Sequence, residues 1–199
     1  MAVNLTKGQK VSLEKEAGQT LTTIVMGLGW DMAKKSAGRR LFGLISVRGN
    51  SDSIDLDASC LMFDEAKNLR DAVYFGQLKS KDGSIHHTGD NLTGEGDGDD
   101  EQIVVNLSRV PAEVETLVFT VSSFRGQTFD DVANAFCRIV NDANGKEIAK
   151  YVLSSQGPHT AQIMAKLYRH NGEWKMAALG ENCNGRSFRD MLPSVLPHL

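Results

Sequence analysis

FCRIVNDANGKEIAKYVL at Phe136–Leu153 and IMAKLYRHNGEWKMAAL at Ile163–Leu179 are the stretches whose reading decides the fold. Each holds two short apolar runs around an Asn-Gly pair, Asn144-Gly145 and Asn171-Gly172. Asn and Gly reach the positive φ of tight hairpin turns at least cost, so each pair between strand-like runs marks a β-hairpin. Strands are therefore expected at 136–140 and 146–153, and at 163–169 and 173–179.

Working outward, further strands are expected at 10–13, 54–63, 72–75, 101–107 and 114–122. Another runs over 21–28 and is broken by Gly29-Trp30-Asp31. In IDLDASCLMF at 54–63, alternation puts Ile54, Leu56, Ala58, Cys60 and Met62 on one face, and Asp55, Asp57 and Ser59 on the other. Lys81-Asp82-Gly83-Ser84 is a tight turn. A short helix is expected over 127–136, where Phe129, Val132, Ala133 and Phe136 have helical spacing, Thr128 can cap and Asp131 follows three residues on. A second helix starts after Ser187 and is limited by Pro193 and Pro197. Roughly ten short strands with frequent turns predict an all-β fold, an antiparallel β-sandwich of two sheets with a few short helices. The gaps between strands are too short for the crossover helices of a parallel sheet.

The chain has 199 residues and is expected to form one domain, with 32–52 as a loop insertion and 186–199 as a short helical tail. The insertion is basic and Gly/Ser-containing, with an apolar island at 41–47.

The chemistry concentrates in GDNLTGEGDGDDE at Gly89–Glu101. Asp90, Glu95, Asp97, Asp99, Asp100 and Glu101 are acidic, Asn91 adds an amide oxygen, and four glycines let the backbone wrap tightly. Such a set of hard oxygens suits a divalent cation, above all calcium, which takes six to eight oxygen ligands. Asp97, Asp99 and Glu101, spaced by two, point to one side wherever the chain is extended. The stretch is not an EF-hand loop, because Leu92 and Gly94 stand where that pattern needs oxygen ligands. Asp55 and Asp57, side by side on one face of a strand, are further candidate ligands. His86 and His87 are adjacent and point to opposite faces, so they do not readily share one metal.

Charge outside this stretch is unremarkable. Net charge is −3, from 22 basic and 25 acidic residues; without the six acids of the stretch, 22 face 19. No basic stripe with interleaved aromatics supports nucleic-acid binding. Cys60, Cys137 and Cys183 form no CxxC pair, which argues against a zinc ribbon or disulfide framework and fits a reducing compartment. The first residues, MAVNLTKGQKVSL, lack the basic and apolar regions of a signal peptide, so a soluble cytoplasmic protein is expected.

GLGWD at 27–31, IDLDAS at 54–59, HTGDNLTGEGDGDDE at 87–101, GQTF at 126–129 and LYRHNGEWK at 167–175 together resemble the TerD family of bacterial tellurite-resistance and stress proteins. SSFRGQTFDDVANAFCR and the tail near Cys183 are most similar to its TerZ branch. The resemblance implies a β-sandwich that binds calcium in acidic loops at one end, and a non-enzymatic role beside membrane and cytoplasmic partners of a stress system. It places Asp31, Asp55, Asp57, Asp90, Asn91, Glu95, Asp97, Asp99, Asp100 and Glu101 on family acidic positions. Ten such side chains exceed what one site commonly uses, so two calcium ions are expected.

The leading expectation is a calcium-dependent interaction module. A metal-dependent sensor of a nucleotide or other small ligand is the alternative. A metal-dependent phosphoester hydrolase is weaker still, since no GxSxG or HExxH nucleophile or metal motif is present and GEGDGDD would repel a phosphate.

Overall fold

In the computed structural model, which describes residues 2–32, 55–89, 98–153 and 156–199, twelve strands form two six-stranded sheets. The first contains, in spatial order, β1 (Val3–Leu5), β10 (Lys146–Val152), β9 (Val132–Asn141), β3 (Thr23–Met32), β7 (Glu101–Asn106) and β6 (Ile85–His87). The second contains β2 (Lys10–Ser12), β12 (Glu173–Cys183), β11 (Ala161–His170), β8 (Thr116–Ser123), β4 (Leu56–Phe63) and β5 (Leu69–Val73). All pairings are antiparallel except β1 with β10. The sandwich expected from the hairpins is the architecture observed.

Both Asn-Gly pairs sit in hairpins. Asn171 and Gly172 have φ of 52° and 79° between paired His170 and Glu173, as a two-residue turn with matching twist requires. The other connection is longer: Asn141 pairs with Lys146, and Gly145 takes the positive φ of 67°.

The core lies between the sheets. Ile24, Met26, Leu28 and Trp30 of β3 and Ile103 and Val105 of β7 face Leu56, Ala58, Cys60 and Met62 of β4 and Leu117, Phe119 and Val121 of β8. Each fully buried large apolar side chain contributes about 1.5–3 kcal/mol. Over the described residues 55–63 the expected alternation holds: the opposite face of β4, with Leu61 and Phe63, packs under Phe188, Met191 and Val195 of the C-terminal helix α2 (Phe188–Val195). Ser187 is its N-cap, and the Asp190 carboxylate accepts hydrogen bonds from Arg186 N (2.9 Å) and Ser187 N (3.1 Å). Pro193 lies inside this helix and does not end it.

Two local expectations are corrected. Gly29-Trp30-Asp31 does not break β3, which runs on to Met32. Here glycine provides room: a Cβ on Gly27 would overlap the Asp99 carboxylate, and one on Gly29 would meet the Phe136 ring at 2.5 Å. The helix expected over 127–136 is a single 3-10 turn, Phe129–Asp131, followed at once by β9. Asn134, at φ 51°, is the extra residue of a bulge against β3. It shifts the strand's alternation by one, so Val132 and Ala135 are the buried residues there, while Ala133 and Phe136 of the expected helical face are only partly buried. A short helix α1 (Leu13–Ala17), unforeseen, follows β2, with Ser12 Oγ accepting from Lys15 N (3.4 Å) and Gly18 as its left-handed C-cap. The insertion expected at 32–52 lies, beyond Met32, outside the described residues.

Candidate metal centre

One end of the sandwich gathers the end of β3, the start of β7 and the start of β4. Leu28 pairs with Glu101 across the first sheet, and the Glu101 side chain reaches β4 of the second. Gly98–Glu101, the described end of the acidic stretch, is rooted there.

Asp99 lies on the outer face of the first sheet, over Gly27. Its two oxygens take two bonds from Arg138, at 2.7 Å from Nε and 3.1 Å from Nη2, and Gln102 Nε2 adds a third at 3.1 Å. A fork-to-fork pair of this kind is charge-assisted and geometrically specific. Arg138 also reaches Glu147, at 3.2 Å. Asp100 fastens the next residue: its N donates to Leu28 O (2.8 Å), and its Oδ2 accepts from Trp30 N (2.7 Å). Burial raises the Asp100 pKa above the usual carboxylate value, the charges of Asp31 and Asp99 add to this, and the Trp30 N–H opposes it.

Glu101 points the opposite way, into the space between the sheets. Its Oε2 accepts from Ala58 N at 2.7 Å and lies 3.2 Å from His87 Nε2. His87 Nδ1 accepts from Gly89 N at 3.1 Å, which leaves the proton on Nε2 to donate to Glu101. Asp99 and Glu101 thus occupy opposite faces, contrary to the one-sided projection read from their spacing. The chain is not extended at Asp99; β7 begins only at Glu101.

Asp55 and Asp57 are buried, each 5% exposed, at the start of β4. Asp57 stands opposite Ser122 of β8, and Arg125 Nε lies 3.3 Å from Asp55 Oδ2. Asp31 is exposed and accepts from Asn134 Nδ2 at 2.8 Å. The fold thus brings Asp31, Asp55, Asp57, Asp99, Asp100 and Glu101 to one end but not to one point. Among the described residues, no three His, Cys, Asp or Glu side chains are grouped to hold a single ion. Asp90, Asn91, Glu95 and Asp97 lie outside the described residues.

The donor set suits a hard cation. Among the described residues it consists of carboxylates, while the three thiols are buried elsewhere. Burial raises Cys60, pushes Cys137 to about 12 and Cys183 to about 11, so none is a thiolate at neutral pH. Cys60 and Cys137 are core residues, as expected of cysteines in apolar strands.

His87, Arg125, Asn134 and Arg138 are site residues that sequence reasoning did not assign. Alternation required one of the adjacent histidines to face inward, and that signal could have found His87. No spacing reveals Arg138, whose partner lies 39 residues earlier.

The sequence model of the TerD domain matches residues 1–192. The chain belongs to the TerD family. It is 53% identical over 194 residues to tellurium resistance protein TerZ of Serratia marcescens, covering 98% of this chain and 97% of that one. It is 42% identical to stress response protein SCP2 of Bacillus subtilis (strain 168), over 96% of this chain and 98% of that one. Among solved structures, a Streptomyces coelicolor A3(2) homologue of telluride resistance protein (TerD) superposes with a TM-score of 0.66. At 19% identity it covers 87% of this chain and 96% of its own, a likeness of fold. This is therefore a member of a tellurium-resistance and stress-response family, and the names of these relatives specify no reaction. Among the described residues, no helix of this TerD-family chain is long and apolar enough to cross a membrane.

Proposed function

We propose that this TerD-family protein is a calcium-binding, non-catalytic interaction module of a bacterial stress system, with the ions held at the carboxylate-bearing end of the sandwich. The observation that carries the proposal is the pair Asp55 and Asp57, two residues apart on β4's approach and each 5% exposed. Carboxylates taken out of water need compensating positive charge. Arg125, itself half exposed, stands beside Asp55, and a divalent ion would supply more.

In this reading Asp55 and Asp57 hold one ion together with oxygens of the acidic stretch, drawn from Asp90, Asn91, Glu95 and Asp97. Asp31 and Asp100, on the first sheet's rim, serve a second. Asp99 and Glu101 anchor the root of the stretch, one through Arg138 and the other through Ala58 N and His87. A bound ion supplies charge neutralisation and orders the backbone; partner proteins of the same system then read the ordered end. Cytoplasmic operation belongs to the same proposal.

Calorimetric titration of chelator-treated protein tests it. Calcium is expected to bind with measurable heat, and Asp57→Asn to remove the part that belongs to the Asp55–Asp57 ion, while magnesium binds more weakly. Equal calcium affinity in the parent, Asp55→Asn and Asp57→Asn proteins contradicts the assignment.

A second reading, a metal-dependent sensor of a small anionic ligand, rests on a hollow of about 340 Å³ beside Asp31. Its wall includes Lys150, whose ammonium lies 4.0 Å above the Phe136 ring. Calcium-dependent stabilisation by ATP or inorganic phosphate, lost in Lys150→Glu, would favour this reading over a purely protein-facing module.

A further inference from the structure

The far face of the second sheet carries a feature that the acidic end does not explain. Edge strand β5 and helix α2 enclose a groove of about 400 Å³. Its floor is apolar, formed by Leu69, Tyr74, Phe188 and Leu192. Tyr74 and Phe188 pack with ring centres 5.0 Å apart. The aromatic surface continues through Phe75, 5.5 Å from Tyr74, to Phe124, 5.7 Å from Phe75. Phe75 and Phe124 are 41% and 53% exposed, a large apolar outlay for a surface.

The rim of the groove is cationic. Arg70, Lys81 and Arg189 line it, with Asp71 the one acid among its described lining residues. Asp71 is committed to its own loop: Oδ1 accepts from Gln77 Nε2 (2.9 Å) and Oδ2 from Lys81 N (2.7 Å), and Lys81 Nζ, 79% exposed, lies only loosely beside it at 3.9 Å. Arg70 is only loosely matched, 3.8 Å from Asp64. Arg189 is in no ion pair among the described residues; its guanidinium lies 4.7 Å from the Phe188 ring centre and 5.6 Å from that of Tyr74. A guanidinium spread on aromatic rings keeps its in-plane N–H donors free for a carboxylate.

We propose that this groove docks a partner protein through a segment in which an apolar side chain is flanked by acidic residues. The apolar residue fills the floor between β5 and α2, and the flanking carboxylates meet Arg189, Arg70 and Lys81. Charge complementarity selects the acidic segment, and concavity selects a peptide over a bilayer. A flat anionic membrane would meet the cations but offers no single side chain to fill the groove between strand and helix. The groove is separate from the carboxylate end, and the inference does not rest on calcium binding.

Panning random phage-displayed dodecapeptides on the full chain tests it. The expected result is enrichment of sequences with an aromatic or large aliphatic residue flanked by Asp or Glu. Their binding should fall at least about tenfold with Arg189→Glu, the loss of one charge-assisted contact. Arg189 is exposed in the first turn of α2, where an acid favours the helix dipole, so that variant folds. Leu69→Asp, at an exposed lining position, supplies a second variant, and both should retain the parent's melting temperature. The proposal is overturned by enrichment of basic peptides, by binding that both variants leave unchanged, or by no enrichment at all. It is equally overturned if phosphatidylserine vesicles, and no peptide, bind in an Arg189-dependent way.

Discussion

Arg138 grips Asp99 with two parallel hydrogen bonds, 2.7 and 3.1 Å long, across the outer face of the first sheet, where Gly27 has no side chain to separate them. This joins β9 to the root of the acidic stretch. Asp99 is therefore charge-paired within the protein, at the described end of the acidic stretch.

Arg138→Ala leaves Asp99 buried without its cation and should destabilise the fold by about 1.5–3 kcal/mol, the range for hydrogen bonds to charged groups. Asp99→Ala with Arg138→Ala should cost less than the sum of the single changes, because both remove one interaction. Urea unfolding of the four proteins measures this coupling. Strict additivity would dissolve the pair as an anchor.

Anchoring also has a consequence for metal affinity. Asp99→Asn keeps the shape of the side chain and removes its charge. If Asp99 positions ligands without being one, calcium affinity should fall by about ten- to a hundredfold, the usual effect of a supporting residue. Complete loss of binding in a folded variant would mark Asp99 as a ligand.

Gly180 on β12 has φ of +60°, and a Cβ there would overlap the Tyr151 hydroxyl reaching across from β10. Gly180→Ala thus meets both a left-handed backbone, costing roughly 1–2 kcal/mol, and a steric overlap. Tyr151→Phe in the same chain should recover only the part due to the hydroxyl, since the ring carbon Cζ would still lie 2.9 Å from the new Cβ, and thermal melts of the single and double variants measure that part.

The fold was legible because its main signals are local. Asn171-Gly172 lies in the hairpin that its turn chemistry demands, and the alternation of 54–63 sorts Cys60 to the core and Asp57 to the opposite face. Errors arose where a distant residue changed the meaning of a local pattern. Gly29 reads as a strand breaker until Phe136 is placed over it. Asn134 reads as part of a helix until its bulge shows that spacing of three can belong to a strand. The candidate site was legible as composition and location. Its division between two faces was not, since the turn between Asp99 and Glu101 depends on Trp30, Leu28 and Arg138.

His159 is buried and stacks on Phe129, with ring centres 4.6 Å apart. Burial lowers its pKa, against the opposing charge of Asp130. A folded pKa below the unfolded value favours the neutral ring. The resulting stability is complete above the unfolded pKa, about 6.5, and is lost as pH falls through the folded one. His159→Phe keeps the stacking and removes the proton, so its melting temperature should fall less steeply between pH 6.5 and 5 than the parent's. Parallel curves would remove His159 from the acid response.

Calcium binding at the carboxylate end is tested most directly by thermal unfolding of chelator-stripped protein, with and without millimolar calcium and with magnesium as control. Binding to the native state alone adds about 2.7 kcal/mol at one hundred times Kd. For a chain of this size that raises the melting temperature by roughly 5–11 °C. The account predicts such a rise with calcium, a smaller one with magnesium, and a clearly reduced rise with calcium in Asp57→Asn. An unchanged melting temperature with both ions would contradict it, leaving Asp55 and Asp57 as structural carboxylates and the acidic stretch as a surface for basic partners.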